Sequence, residues 1–239
     1  MWRCLSASLL ALTLLCISPL TKAEVRWYFS TKTALAEHQL SDSDHGGSIG
    51  NGQIVSGELD GTLAATYQED PTASAGIAIA RQSANWLIEG ELAWRYRTDW
   101  DLRARTHSLN AVTNTFANIA TTTLMANLLR HGQLTDRWGW QLGAGVGLAY
   151  IDISSELVER ADNGRREQTS YDSVEPAWSV MAGLRRDIGR AWALNFRYRY
   201  IDLGAVETGR FPLSGATVQA NHAAHELQFS LERRFRAEM

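Results

Sequence analysis

The chain has 239 residues, of which 45% are hydrophobic and 21% charged, and it carries a formal net charge of −3. It contains no basic block and no RNA-binding aromatic motif, so this balance argues against a nucleic-acid partner. After the N-terminal region no apolar run approaches the ~20 residues of a membrane-spanning helix, and a membrane crossing would therefore have to use strands.

The N-terminal segment has the parts of a secretion signal. Arg3 supplies a positive start, residues 5–20 form an apolar stretch, and Ala23 offers a small residue for cleavage. We therefore predict a cleaved signal peptide over residues 1–23 and one domain over residues 24–239. Both cysteines of the chain lie in the signal, so the mature chain would have neither a disulfide nor a cysteine-based metal site.

Eight later segments alternate apolar and polar residues with a period of two, as extended strands with two different faces do. In chain order they span 25–37, 75–81, 86–97, 115–130, 138–151, 176–186, 192–203 and 223–235. Short turns at 82–85, 132–137 and 187–190 alternate with long loops at 38–72, 98–114, 154–173 and 204–220. This arrangement predicts an all-β fold, an eight-stranded antiparallel up-and-down transmembrane β-barrel whose closure removes the sheet edges.

Alternation alone does not distinguish a membrane barrel from a soluble lipocalin-type barrel, in which the apolar residues would face inward. The segment 138–151 favours the membrane barrel, because its second face is almost entirely glycine and alanine, including Gly143, Gly145 and Gly147. Small residues suit a crowded interior better than a solvent-exposed surface. We therefore predict that the apolar side chains meet lipid and that the charged ones point inward.

Two sets of residues follow from this facing. Tryptophans at the start of alternate segments are typical of an interfacial aromatic girdle at one rim: Trp27, Trp86, Trp138, Trp140 and Trp192. Charged residues of the inward face are expected to pair in a filled lumen, since eight strands leave room only for side chains: Glu89, Glu91, Arg95, Arg97, Arg185, Arg197, Arg199, Glu226, Glu232 and Arg234. We favour a structural role for this network over a conducting path.

The sequence resembles the small outer-membrane barrels that include the OmpA transmembrane domain, OmpX-type proteins and the opacity proteins. The resemblance rests on Gly143-Ala144-Gly145-Val146-Gly147-Leu148-Ala149, Ala182-Gly183-Leu184, Phe196-Arg197-Tyr198-Arg199-Tyr200 and Met125-Ala126-Asn127. It implies the outer membrane of a Gram-negative cell, with long loops outside and short turns in the periplasm. It also implies contact with outer-membrane lipid and lipopolysaccharide, and insertion by the barrel-assembly machinery. The chain departs from the family where it continues past Phe235, and the resemblance does not include a peptidoglycan-binding domain.

These features predict a structural or surface-interaction protein of the cell envelope, which would meet an extracellular ligand through its long loops. They predict no enzyme activity, no cofactor and no metal. Two other functions stay open. A lipid A-modifying enzyme of the deacylase or acyltransferase type would use His107 and Ser108, whose surroundings loosely resemble the deacylase motif. A small pore is the other alternative.

Overall fold

The strands of this chain close into a ring. A computed structural model describes residues 26–46, 48–49, 52–53, 67–106, 111–159, 165–213 and 215–236. The strands are β1 (Arg26–Gly46), β2 (Ser48–Ile49), β3 (Gly52–Gln53), β4 (Tyr67–Ser83), β5 (Trp86–Thr106), β6 (Ala111–Gln133), β7 (Trp138–Glu159), β8 (Arg165–Asp187), β9 (Trp192–Glu207) and β10 (Thr217–Arg236). Eight of them form one closed barrel in the order β1-β10-β9-β8-β7-β6-β5-β4, and β2 pairs separately with β3.

All neighbouring strands of the barrel are antiparallel, and this confirms the predicted eight-stranded up-and-down barrel. Within the described part of the chain, no helix has the length and apolar character needed to span a membrane. Segment 1–23, predicted to be a signal peptide, lies outside the described residues.

Three short turns and both ends of the described chain share one rim of the barrel, which we call the turn rim. The turns follow β4, β6 and β8. Arg26 at the start of β1 pairs with Arg236 at the end of β10 and with Gln82 near the end of β4. The opposite end of the barrel is called the open rim.

Toward the open rim the strands continue well beyond the predicted segments. β5 and β6 pair through most of the predicted loop 98–114, and β7 and β8 through most of the predicted loop 154–173. β1 likewise continues into the predicted loop 38–72, and β9 and β10 shorten the loop 204–220. The prediction of long loops between these strands is therefore wrong at 98–114 and 154–173, while residues 54–66 lie outside the described residues.

The strands were missed because the sense of their alternation reverses part of the way along. On β7, Val146 points outward and is 66% exposed, while Gly145 faces inward. Beyond Tyr150 the outward residue is the exposed Asp152, and the inward residue is Ile151, which is 1% exposed.

β9 also reverses, but ten residues after its start at Trp192, whereas β7 reverses fourteen residues after Trp138. Tyr198 is exposed and Arg199 is buried, whereas two residues further along Ile201 is buried and Asp202 is partly exposed. We call the point at which each strand reverses its boundary level; the lower part of the barrel runs from there to the turn rim, and the upper part runs to the open rim. The lower part is apolar outside and ionic inside, as lipid requires. The upper part is polar outside and apolar inside, as in a soluble barrel.

Candidate functional site

The lower interior contains seven charged side chains that form one network, which we call the ionic layer: Lys32, Glu89, Glu91, Arg95, Arg197, Arg199 and Glu226. Lys32 Nζ lies 2.6 Å from Glu89 Oε1 and also contacts Glu91. Arg199 bridges two carboxylates, with Nη1 2.6 Å from Glu91 Oε1 and Nη2 2.5 Å from Glu226 Oε2. These side chains are almost completely shielded from solvent, so each charge depends on its partners.

The ionic layer crosses the lumen. Glu89 and Glu91 come from β5, whereas Arg197 and Arg199 come from β9, and these two strands are not neighbours in the ring. Arg197 Nη1 nevertheless lies 3.0 Å from Glu89 Oε1. Side chains from distant walls therefore meet in the middle and fill the barrel at this level.

Neutral side chains complete the hydrogen bonding of the layer. Arg197 Nε donates to Gln141 Oε1 at 2.8 Å, and Arg95 Nη1 donates to Thr123 Oγ1 at 2.9 Å. Asn127 Nδ2 donates to Glu89 Oε1 at 3.1 Å. Buried ion pairs stabilise a fold only when their remaining donors and acceptors are satisfied, and these contacts satisfy several of them.

A second charged group lies nearer the turn rim. Arg185 Nη1 is 2.7 Å from Glu232 Oε1, and Arg234 Nη2 is 3.0 Å from Asp187 Oδ1. The guanidinium of Arg185 also lies over the ring of Tyr28, 5.2 Å from its centroid. Together the two groups contain nine of the ten charged residues that the sequence predicts for the lumen.

Arg97 is the tenth residue, and its predicted inward position is wrong. The pairing of β5 with β6 shifts between Arg95 and Thr98, which marks a β-bulge. As a result Tyr96 and Arg97 are both exposed, and Thr98 is the next buried residue. A period of two read from sequence assumes an unbroken register, and a bulge inserts one residue into one strand only.

Sequence reasoning also missed Lys32. On β1 the buried residues include Tyr28, Ser30 and Lys32, whereas Phe29 and Leu35 are exposed. Lys32 is three residues away from both Phe29 and Leu35, so in a strand it points to the opposite face from these two outward residues. This spacing predicts an inward cation. The signal was weak because the other inward residues of this strand are small or neutral.

Glycines of the inward face make room for the ionic layer. A Cβ added to Gly145 would overlap Asn127 Oδ1, and one added to Gly183 would lie 2.8 Å from Arg197 Cγ. Both neighbours belong to the charged network or hydrogen-bond to it. The small residues that indicated the facing of segment 138–151 are therefore required by crowding inside the barrel.

The upper interior is apolar and has a histidine pair at its lower edge. Its cluster consists of Leu40, Trp100, Ala117, Ile119, Met125, Ala149, Ile151, Ile153, Ala177, Ile201, Leu203, Val206, Val218, Ala220 and Ala224. His38 Nδ1 lies 2.7 Å from His222 Nε2, and both rings are buried. The interior therefore has its ion pairs below the boundary level, beside a small apolar cluster of Tyr28, Ala80, Leu87, Leu129 and Met181, and its larger apolar cluster toward the open rim.

The connection between β9 and β10 folds over the open rim. Phe211 is fully buried and packs with Leu157 and Ala216. Phe211 N donates to Ala216 O at 2.9 Å, and Leu213 N donates to the buried carboxylate of Glu167 at 2.9 Å. Residues 208–213 and 215–216, which we call the cap, thus pack against β7 and β8 near the open rim.

The predicted girdle tryptophans all lie on the outer surface near the turn rim. Trp27, Trp86 and Trp192 are 40–41% exposed, and Trp138 and Trp140 are partly exposed. His107 and Ser108, the candidates for a lipid A-modifying site, lie outside the described residues. In the described ranges no group of three or more histidine, cysteine or acidic residues could hold a metal ion.

The chain is similar to several solved outer-membrane barrels. Neisserial surface protein A shares 11% identity, covering 87% of this chain and 97% of its own, with a TM-score of 0.48. OprG from Pseudomonas aeruginosa shares 11%, covering 90% and 99%, with a TM-score of 0.49. Ail, the attachment invasion locus protein of Yersinia pestis, shares 11%, covering 89% and 99%, with a TM-score of 0.44.

No curated protein sequence matches the chain significantly. The family model described as "Outer membrane protein beta-barrel domain" matches residues 7–235, which is nearly the whole chain. That family implies an outer-membrane location in a Gram-negative cell. The chain belongs to the outer membrane protein β-barrel domain family.

Proposed function

We propose that this chain is a non-conducting, non-enzymatic outer-membrane protein that contacts extracellular molecules or surfaces through the upper part of its barrel. The observation that carries the proposal is the reversal of facing at the boundary level, where β7 changes from Val146 outward to Asp152 outward. A wall with polar residues outside and apolar residues inside is suited to water, so the upper part would project from the outer leaflet.

The projecting part is tall and paired throughout its described length. Asp152–Glu159 of β7 pairs with Arg165–Asp172 of β8 without a register shift. At ~3.3 Å per residue and a tilt of ~40°, eight paired residues rise about 20 Å. A hydrogen-bonded wall holds its side chains in fixed positions, which lowers the entropy cost of binding compared with a free loop.

A groove on the outside of this wall supports a contact role. It has a volume of about 520 Å³ and is lined by Phe116, Asn118, Ser154, Ser155, Glu156, Gln168, Thr169 and Ser170. Phe116 is 40% exposed above the boundary level, where no lipid would cover it. An aromatic ring set among hydroxyls and amides is the composition of a protein-contacting or glycan-contacting surface.

Attachment of whole cells tests this proposal. Cells that produce the protein are expected to attach to immobilised extracellular-matrix glycoproteins more strongly than cells that lack it. Substitution Phe116→Ala together with Gln168→Ala should remove that gain, because it strips the groove of its ring and one amide. Leu128→Ala, on the lipid-facing surface of β6, is the matched control and should attach like the wild type. Equal attachment by cells with and without the protein, or by groove variant and wild type, would contradict the proposal.

The two other functions have separate tests. The ion pairs that cross the lumen favour a closed barrel, so the purified protein should give no steady conductance in planar bilayers. A non-enzymatic role predicts the same acyl pattern of lipid A in cells with and without the protein. A stable conductance step would favour a pore, and a lost or gained acyl chain would favour an enzyme.

A further inference from the structure

Each pair of strands joined on the open-rim side places a tryptophan directly opposite an arginine next to the turn rim. The four pairs are Trp27 opposite Arg81, Trp86 opposite Arg130, Trp138 opposite Arg186 and Trp192 opposite Arg233. All eight side chains are on the outer surface and at least partly exposed. Because these strand pairs alternate with the other four around the barrel, the pairs recur at every second seam. We call them the Trp/Arg belt.

Three of the four pairs show stacking of the guanidinium on the indole. The guanidinium carbon of Arg130 lies 5.8 Å from the ring centre of Trp86. The guanidinium carbon of Arg186 lies 5.2 Å from the ring centre of Trp138. For Arg233 the distance to Trp192 is 5.7 Å. These distances are within the ~6 Å range of cation–π contacts. Such a contact holds each guanidinium over its indole.

None of the four belt arginines has a carboxylate partner among the described residues. The arginines of the ionic layer, in contrast, pair with Glu89, Glu91 or Glu226 at 2.5–3.0 Å. Arg186 shares a groove with Asp136 and Asp187 but forms no ion pair with either. The belt therefore presents four positive charges that the described part of the protein does not neutralise.

The belt lies at the edge of the apolar band. The next outward residues toward the middle of the barrel include Ile79, Ile88 and Leu128, each about half exposed or more. Hydrocarbon covers such residues in a bilayer, and lipid phosphates lie just beyond it. Arginine can lay its aliphatic stem along apolar surface while its charged end reaches that level.

We propose that the Trp/Arg belt binds the phosphodiester groups of anionic glycerophospholipids in the leaflet at the turn rim, which the family resemblance assigns to the periplasmic side. A guanidinium offers paired N–H donors that match two phosphate oxygens, which an ammonium group does not. The indole holds the guanidinium in place, and the lipid headgroup supplies the missing negative charge. The belt would anchor the lower end of the barrel at a fixed depth.

Native mass spectrometry tests the proposal with the folded protein. The barrel is released from vesicles that contain equal amounts of phosphatidylglycerol and phosphatidylcholine, and the retained lipids are counted. We expect wild type to retain phosphatidylglycerol preferentially. The fourfold variant Arg81→Gln, Arg130→Gln, Arg186→Gln, Arg233→Gln should lose that preference, with about a threefold drop in affinity per site, in the range of exposed charge pairs. The variant with Lys at the same positions should retain only part of it.

Arg97→Gln with Arg166→Gln is the matched control, since both arginines are exposed but lie on the other side of the apolar band. It should keep the wild-type preference. If the fourfold Gln variant fails to refold, the single variants Arg130→Gln and Arg186→Gln provide the same readout, each with a smaller loss. Equal retention of the two lipids by wild type, or an unchanged preference in the Gln variants, would overturn the proposal.

Discussion

Two arginine substitutions on the outer face of β7 should have very different costs. Val146→Arg places a charge below the boundary level, and Ser154→Arg places one above it. Val146 is 66% exposed and Ser154 is also exposed, so neither change creates crowding inside the barrel. Both substitutions add one positive charge to the outer face of β7, and they place it in different media.

The magnitude follows from depth. Trp138 and Tyr150 mark the two ends of the apolar band on β7, and twelve residues at ~3.3 Å each and ~40° tilt span about 30 Å. Val146 then lies about 5 Å from the middle of the band. Arginine near the midplane of a barrel wall costs ~2–4 kcal/mol, so Val146→Arg should lose about 2–3 kcal/mol. Ser154→Arg, about 10 Å above Tyr150, should change stability by less than ~0.5 kcal/mol.

Equilibrium unfolding in lipid vesicles, with guanidinium as denaturant and tryptophan fluorescence as the signal, measures both values. Equal stability of Val146→Arg and wild type would show that this face does not meet hydrocarbon. A cost for Ser154→Arg similar to that for Val146→Arg would show that the membrane extends past the boundary level.

Three further substitutions test the interior. Glu226→Gln leaves two buried guanidinium groups short of a carboxylate and should cost ~3–5 kcal/mol in the same unfolding assay, whereas Glu156→Gln in an exposed pair should cost less than ~1 kcal/mol. Gly145→Ala should impair refolding, because the added methyl group overlaps Asn127, which hydrogen-bonds to Glu89 of the ionic layer. Heat-modifiability on a gel measures the refolded fraction. Gly90→Ala is the control and should refold like wild type, because nothing lies within 4 Å of a Cβ added there. Phe211→Ala should speed amide hydrogen exchange across the cap and cost ~3–5 kcal/mol; unchanged exchange there would mean that the ring does not hold the cap in place.

The sequence was sufficient for the number of strands and for the facing of their lower parts. The starts of β5, β7 and β9 agree with the predicted segments, because each of these strands begins with a tryptophan directly after a short turn. Inward glycines next to outward apolar residues also identified the crowded side correctly in segment 138–151. Local alternation therefore carries most of the information on the part of the wall that meets lipid.

The upper part could not be predicted by the same rule. The upper part of β7 still alternates, but with the polar Asp152 and Ser154 outward and the apolar Ile151 and Ile153 inward. A search for strands with apolar residues on the outer face therefore interprets this stretch as a loop. Arg97 faces outward because of a β-bulge between Arg95 and Thr98. A bulge arises from the pairing of two strands, so the sequence of one strand alone does not reveal it. Both errors arise where the surroundings of the strand, and not its own pattern, determine the facing.

Labelling of single cysteines along β7 in whole cells locates the membrane boundary on the chain. The two native cysteines lie within residues 1–23, the predicted signal peptide, and we expect each introduced thiol to be the only one left once that segment is removed. A membrane-impermeant maleimide should react with cysteine at Asp152 and Ser154 and leave cysteine at Leu142, Val146 and Leu148 unlabelled. Rapid labelling at Val146 and Leu148, or protection at Asp152 and Ser154, would contradict the reversal of facing and the membrane position derived from it.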